Sequence, residues 1–249
     1  MTLMLVDDHG LFRPTHKTTG KRLHAALAGG AFALAIGVKP IVLPLALPLA
    51  WRLRKNIDQL AIAITATLLT LAALYVPFML MTGGISGMIE TGRFFAENWS
   101  FNSSFYIPLK DLLVFPSIAR SICAATLLAV MIAQIRMGRD LWVITITYLF
   151  LGLLLSSTCH PWYLLWALAL LPVRPNTLVA PALWVWSLTI TWSYTALLDP
   201  QNYTVPQAVM LLEYAPVYAA LTFSIWRQRP DSHQRTSQPV PETRPAAST

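Results

Sequence analysis

Charge is what this sequence has least of. Only 12% of its 249 residues are Asp, Glu, Lys or Arg, against 55% hydrophobic and a mean hydropathy of +0.55. A soluble domain averages about 25% charged, so a soluble fold of this size would have to cover its surface with side chains it does not have. Residues 59–89, 141–173 and 175–198 run 31, 33 and 24 positions without a charge of either sign, and about 20 apolar residues cross a bilayer's hydrocarbon core. An ordinary soluble enzyme is excluded.

Other shortages narrow the chemistry. The two cysteines, Cys123 and Cys159, make neither a disulfide framework nor a CxxC pair. No second histidine stands at ligand spacing from His160 and no Cys/His cluster occurs, so no metal site is indicated. Neither a Walker loop nor GxGxxG is present, so no nucleotide or other cofactor is expected. No internal repeat of the kind that builds duplicated transporters is visible. The N-terminus does not read as a signal peptide, because the apolar start ends at Val6 and Asp7-Asp8 follows. Acidic residues are fewer than basic ones, 11 against 18, for a net charge of +7. In a soluble protein that balance would suggest nucleic acid. Here the basic residues cluster in short loops, where membrane topology explains them and no nucleic-acid partner is called for.

What is present is a series of apolar segments. Residues 1–22 read as a polar, irregular tail. Residues 23–51 are apolar but carry Lys39 and prolines at 40, 44 and 48, with basic clusters on both flanks (Lys17, Lys21, Arg22; Arg52, Arg54, Lys55). A single span would put one cluster on the wrong side. A hairpin of two short helices turning near Gly37-Val38-Lys39-Pro40 keeps both in the cytoplasm. A span follows at 58–82, broken near Tyr75-Val76-Pro77 and closed by Gly83-Gly84. Residues 83–115 form a long polar-aromatic loop, then come spans at 116–135 and 141–157, a short apolar segment at 162–171, and spans at 178–198 and 208–226. The tail 227–249, rich in Pro, Ser and Thr, reads as disordered. The expectation is an all-α polytopic integral membrane protein of about six to eight membrane segments, some short or broken. Its membrane region is 23–226.

Loops 52–57, 136–140 and 173–177 and the start of the tail hold Arg52, Arg54, Lys55, Arg136, Arg139, Arg174, Arg227 and Arg229. The alternate loops hold only Arg93 and Lys110. The positive-inside rule makes the first set cytoplasmic and turns 83–115, 158–161 and 199–207 outward.

Polar residues concentrate on that outer side. Arg93 and Glu97, four apart beside the amphipathic stretch 85–95, would share a face of an interfacial helix. They read as a solvated ion pair or, functionally, as a holder of a lipid-linked phosphate. Arg120 and Glu213 lie within spans, where a charge usually faces a cavity or a partner; the plainer reading has Arg120 reaching for the interface and Glu213 pairing with it. His160 opens HPWYLLW (residues 160–166), an interfacial helix start whose imidazole caps or packs, or else binds phosphate or shuttles protons. Asn98, Asn102 and Asn202 begin Asn-x-Ser/Thr triplets, glycan acceptors in a eukaryote and without meaning in a bacterium.

Three stretches taken in order carry a resemblance. GVKP (37–40) leading into LPLALPLAWRLRK, RFFAENWSFNSS (93–104) and HPWYLLW resemble membrane glycosyltransferases of the GT-C class. The nearest likeness is to the DUF2029 or glycosyltransferase family 87 group, which includes polyprenyl-phosphate-mannose-dependent mannosyltransferases. The likeness covers roughly residues 23–198 and is to the C-terminal half of such enzymes, which implies a GT-C-like helical bundle in the cell (inner) membrane. It implies transfer of a hexose, most simply mannose, from a polyprenyl-phosphate sugar to a glycan or glycolipid acceptor at the outer face. His160 and Arg93 would then contact the donor phosphate, with Lys39 a further candidate. Asn102 and Trp99 would shape the sugar or lipid site, and Tyr163 stands beside His160 in the same run.

The family's catalytic carboxylate lies on a first outer loop that precedes everything aligned here. The resemblance therefore implies a truncated or split enzyme, with its catalytic residue unassigned and a partner carrying the other half. Asp7 and Asp8 are replacements for that base by type, but the topology puts them on the cytoplasmic side. The alternative is a non-catalytic membrane protein that binds or transports polyprenyl-linked sugars, or an assembly subunit.

Overall fold

The structure is a computed structural model that describes residues 5–6, 12–13, 16–81, 84–113, 115–198 and 204–228. Asp7, Asp8, Gly83, Asn202, Arg229 and the rest of the C-terminal tail lie outside the described residues. Apart from two short antiparallel strands, β1 (Leu5–Val6) and β2 (Phe12–Arg13), the described chain is helical. It forms two compact units, Met1–Arg174 and Pro175–Thr249.

In the first unit, α1 spans His16–Val38. The polar tail is thus shorter than expected. No proline interrupts the chain between Pro14 and Pro40, and the helix takes in the polar residues from His16 onward. It stops at Lys39, which is extended (φ −151°, ψ 113°) because the residue before a proline is disfavoured from the α region. A 3₁₀ stretch, Pro40–Leu45, then leads into α2 (Ala46–Leu53). The turn falls where the GVKP run places it, but the first arm is a 23-residue helix, not a short one. Both arms and α3 (Ile57–Met81) line a common apolar cleft, with Ala28, Gly29 and Phe32 from α1, Ala46, Leu49 and Leu53 from α2, and Ala63 and Thr67 from α3.

Helices α1 and α3 run parallel and meet through small residues. A Cβ on Gly29 would collide with the carbonyl oxygen of Ala63, and the Thr67 hydroxyl donates to the Gly29 carbonyl at 3.0 Å. Further along, Gly37 faces the Leu74 side chain. Membrane helices commonly associate through such small-residue contacts, which let backbones approach. The expected break at Tyr75-Val76-Pro77 does not occur. Pro77 removes one intrahelical donor, yet α3 continues to Met81 and ends in a bond from Gly84 N to Met79 O (2.9 Å) with Gly84 at φ +122°.

The expected loop over 83–115 is mostly helical. It contains α4 (Ser86–Asn98) and α5 (Tyr106–Leu113), short helices whose mixed polar and apolar composition does not stand out as a span. After them, Phe115 is extended before Pro116, which opens α6 (Pro116–Arg136). Helix α6 ends in a Schellman motif. Gly138, at φ +67°, donates to Ile135 O (3.1 Å) and Arg139 N donates to Gln134 O (3.0 Å). Asp140 follows at once and caps α7 (Leu141–Leu155) by accepting from Trp142 N at 2.9 Å. Helix α7 is apolar all round and buried along most of its length, as a central helix must be. It stops at Leu155, two residues short of the expected end at 157. The segment Pro161–Val173 is short and broken, with 3₁₀ turns on either side of α8 (Leu164–Leu168).

The second unit holds α9 (Ala180–Thr189), which passes into a 3₁₀ stretch, Ile190–Leu198, and then α10 (Gln207–Arg227). The fully buried Glu213 of α10 accepts a hydrogen bond from Trp186 Nε1 of α9 at 3.0 Å. Among the described residues three helices are long and apolar enough to cross a bilayer: α3, α6 and α10. Pro40–Leu53, Leu141–Leu155 and Pro161–Val173 are apolar but shorter.

Candidate functional site

The polar residues singled out by sequence gather where α7 ends. Residue Phe101 pairs with Thr158 in an isolated parallel bridge, through Phe101 N to Ser157 O (3.0 Å) and Cys159 N to Phe101 O (2.9 Å). The Thr158 hydroxyl donates to Trp99 O at 3.3 Å. Asn102 sits in the left-handed region (φ 48°), which asparagine tolerates better than most residues, and its amide donates to Cys159 O at 3.5 Å. These contacts clamp the segment between α4 and α5 onto the segment between α7 and α8. Asn102 is buried, so in the folded protein it is no glycan acceptor.

The clamp presents His160. Its ring stacks between Phe101 (4.7 Å, 26°) and Trp162 (4.6 Å, 6°), with Tyr163 edge-on at 5.3 Å. Only 8% of His160 is exposed, and Nδ1 is buried with no hydrogen-bond partner among the described residues. Leaving such a nitrogen unpaired costs on the order of 1–3 kcal/mol. The aromatic packing holds it there regardless. Burial, and then the charge of Lys39, push the imidazole's pKa below its ordinary value, so it is neutral at pH 7.

Lys39 reaches the cluster from the break between α1 and the 3₁₀ stretch. Its ammonium lies 4.8 Å from the centre of the Tyr163 ring and 5.6 Å from that of Trp166, and those two rings stack at 4.6 Å. Such a cation–π cradle holds an ammonium without neutralising it. The structure therefore brings together Lys39, Asn102, His160 and Tyr163.

The other two candidates sit differently. Trp99 is exposed. Arg93 lies on the exposed face of α4, and its Nε donates to Glu97 Oε1 at 2.7 Å, the solvated i,i+4 pair that spacing alone suggests. At this end of α7 the arginine lining a cleft is Arg120. Its Nη2 donates to Glu97 O at 3.0 Å, its guanidinium lies 5.6 Å from the Tyr106 ring centre, and its buried Nε has no partner among the described residues. With Tyr106, Ser156 and Ser157 it lines a cleft of about 200 Å³. The signal for Arg120 in the sequence was its charge four residues inside a span. Phe101 and Trp166 lie within the runs 93–104 and 160–166 without standing out in them, and nothing local marked Tyr106.

Three cationic or protonatable groups, Lys39, Arg120 and His160, thus stand at the α7 end among rings and hydroxyls. The arrangement suits an anion with an apolar attachment. Among the described residues no group of three or more His, Cys, Asp or Glu side chains is placed to hold a metal ion. No family profile matches the chain, and neither does any curated protein or solved structure.

Proposed function

We propose that the chain is a membrane glycosyltransferase of the GT-C class, or the donor-binding part of one, acting on a polyprenyl-phosphate hexose, most simply mannose. One observation carries the reading: Lys39 and His160, 121 positions apart in sequence, are held within one aromatic cluster. A phosphate joined to a sugar on one side and a prenyl chain on the other needs cations, rings and apolar walls together. Arg120, with its cleft, replaces Arg93 as the arginine of the set.

In the reaction an acceptor hydroxyl attacks the anomeric carbon and the bond from that carbon to the phosphate oxygen breaks. The polyprenyl phosphate leaves with the bonding electrons, and the hydroxyl proton passes to a carboxylate base. That base is not assigned. Lys39 and Arg120 would offset the charge gathering on the leaving phosphate.

The reading puts α1, Pro40–Leu53, α3, α6, α7 and Pro161–Val173, with α9 and α10, in a cell (inner) membrane. The α7 end near His160 would face outward and the C-terminus the cytoplasm. Orientation rests on Lys21, Arg22, Arg52, Arg54, Lys55, Arg136 and Arg139, which gather at the starts of α1, α3 and α7 and the ends of α2 and α6.

The test uses membranes containing the full chain, a photoreactive polyprenyl phosphate and a labelled polyprenyl-phosphate mannose. Capture of the photoprobe should fall at least tenfold in Lys39→Gln and Arg120→Gln. Undiminished capture in both would refute the site. Movement of label into an acceptor marks a transferase, whereas capture without transfer marks a protein that binds or moves lipid-linked sugars.

A further inference from the structure

A second cleft, of about 260 Å³, opens at the other end of α7. Arg52, Arg54, Lys55 and Arg139 line it, from the end of α2 and the turn between α6 and α7. Its remaining wall is apolar, with Trp51, Ile135 and Ile144. The frame is fixed. The Arg54 guanidinium stacks on the Trp51 ring at 3.7 Å and donates to Trp51 O at 2.9 Å. Arg139 is set by the Schellman turn that its own backbone closes.

Among the described residues one carboxylate, Asp140, pairs with the basic side chains of this end. It accepts from Trp142 N and pairs with Arg52 and Arg174 at 3.5 Å each. Its pKa is held below the ordinary carboxylate value, first by the Trp142 N–H and then by Arg174 and Arg52, so it stays ionised. Lys55 and Arg139 have no carboxylate within 4.0 Å among the described residues, and Asp58, though near in sequence, neither lines the cleft nor pairs there. A concave site thus carries uncompensated positive charge above an apolar wall, on a molecule whose neighbouring helices are long and apolar enough to span a bilayer.

We propose that this cleft is a binding site for the phosphodiester headgroup of an anionic glycerophospholipid, such as phosphatidylglycerol or cardiolipin. The oxygens would meet Lys55 and Arg139, and the first acyl carbons would lie along Trp51, Ile135 and Ile144. Basic pockets between membrane helices accept such headgroups. A soluble anion would use the cations but gain nothing from the apolar wall, and a zwitterionic lipid would bring its own cation into a cationic site. The site is independent of the sugar-transfer reading, since it shares no residue with the His160 cluster.

The test is native mass spectrometry of the full chain in neutral detergent, titrated with phosphatidylglycerol, cardiolipin or phosphatidylcholine of matched chains. The two anionic lipids should be retained in preference to phosphatidylcholine. Lys55→Gln with Arg139→Gln should weaken retention by about fivefold per charge removed. Arg22→Gln, on α1 outside the cleft, should leave it unchanged. The charge-conserving pair Lys55→Arg with Arg139→Lys should keep most of the binding, so a loss caused by misfolding of the first pair is recognised. Equal retention of phosphatidylcholine would overturn the proposal. So would indifference to the double substitution, an equal loss in Arg22→Gln, or displacement by millimolar inorganic phosphate, which would mark a site for soluble anions.

Discussion

The Tyr148 hydroxyl donates to the carbonyl of Ile41 at 2.6 Å, across 107 residues of sequence. In a 3₁₀ turn the Ile41 carbonyl would accept from residue 44, but Pro44 has no N–H to give. Tyrosine from the central helix supplies the donor that proline removes. This bond fixes the start of the 3₁₀ stretch two residues from Lys39, and through it the position of the ammonium over Tyr163.

Tyr148→Phe should therefore cost about 0.5–1.5 kcal/mol, the net worth of a typical hydrogen bond, because this one is only part-buried. Unfolding in mixed micelles against denaturant measures it. Photoprobe capture at the Lys39 cluster should weaken in the same variant. An unchanged midpoint would mean that water or another donor serves Ile41.

Adjacent glycines on α1 should respond oppositely. Gly29→Ala drives a methyl into the Ala63 carbonyl, and should destabilise by about 1–3 kcal/mol or more as overpacking does. At Gly30 the nearest atom to a new Cβ is the Thr70 hydroxyl at 3.7 Å, ordinary contact. Gly30→Ala should be neutral or gain up to about 1 kcal/mol from helix propensity. Limited proteolysis in detergent distinguishes them. Equal behaviour would mean that α1 and α3 do not meet at Gly29.

His160 makes stability depend on pH in a stated direction. Its folded pKa lies below the ordinary value near 6.5, so below about pH 6.5 the unfolded chain binds a proton that the folded chain resists. Stability is therefore full above that pH and declines as pH falls towards the lowered value, where the loss levels off. His160→Gln should flatten the decline in that window. Lys39→Gln removes the second cause of the shift and should move it upward. A profile identical in wild type and His160→Gln would show that the imidazole titrates normally. A bound phosphate, favouring imidazolium, would raise the pKa and couple ligand binding to proton uptake.

Orientation is open to direct labelling. Ser100→Cys, on the exposed segment after α4, should react with an impermeant thiol reagent from outside intact cells. Met137→Cys, at the exposed end of α6, should react only after permeabilisation. The reverse pattern would invert the assignment of both clefts.

Long apolar runs were legible because their composition alone sets the element. The bounds of α3, α6 and α10 fall within a residue or so of those read from charge and hydropathy. The break at Lys39 was legible for a local reason, the proline after it. Helix α4 was legible only as the amphipathic stretch 85–95 inside an expected loop, and α5 not at all, because their polar residues mimic a loop. The site was legible only in parts. HPWYLLW marked an interfacial cluster and Lys39 an odd charge, but nothing near either one says that they meet. That meeting depends on the Phe101–Thr158 bridge and the Tyr148–Ile41 bond, contacts between distant segments with no period or motif of their own. Arg93 attracted attention for its family likeness, while Arg120 had the stronger physical claim, a charge inside a span that needs a cavity.

The helices α6 and α7 leave the same tight turn and climb back together, but they differ in length. At 1.5 Å per residue the 21 residues of α6 reach about 31 Å and the 15 of α7 about 22 Å. Hydrocarbon is about 30 Å thick. Counted from that turn, the far end of α7 stops roughly 9 Å short of the far end of α6, and Arg120 lies on α6 near that step. On the proposed reading, a lipid-borne group would reach that step sideways from the leaflet, without rising into water.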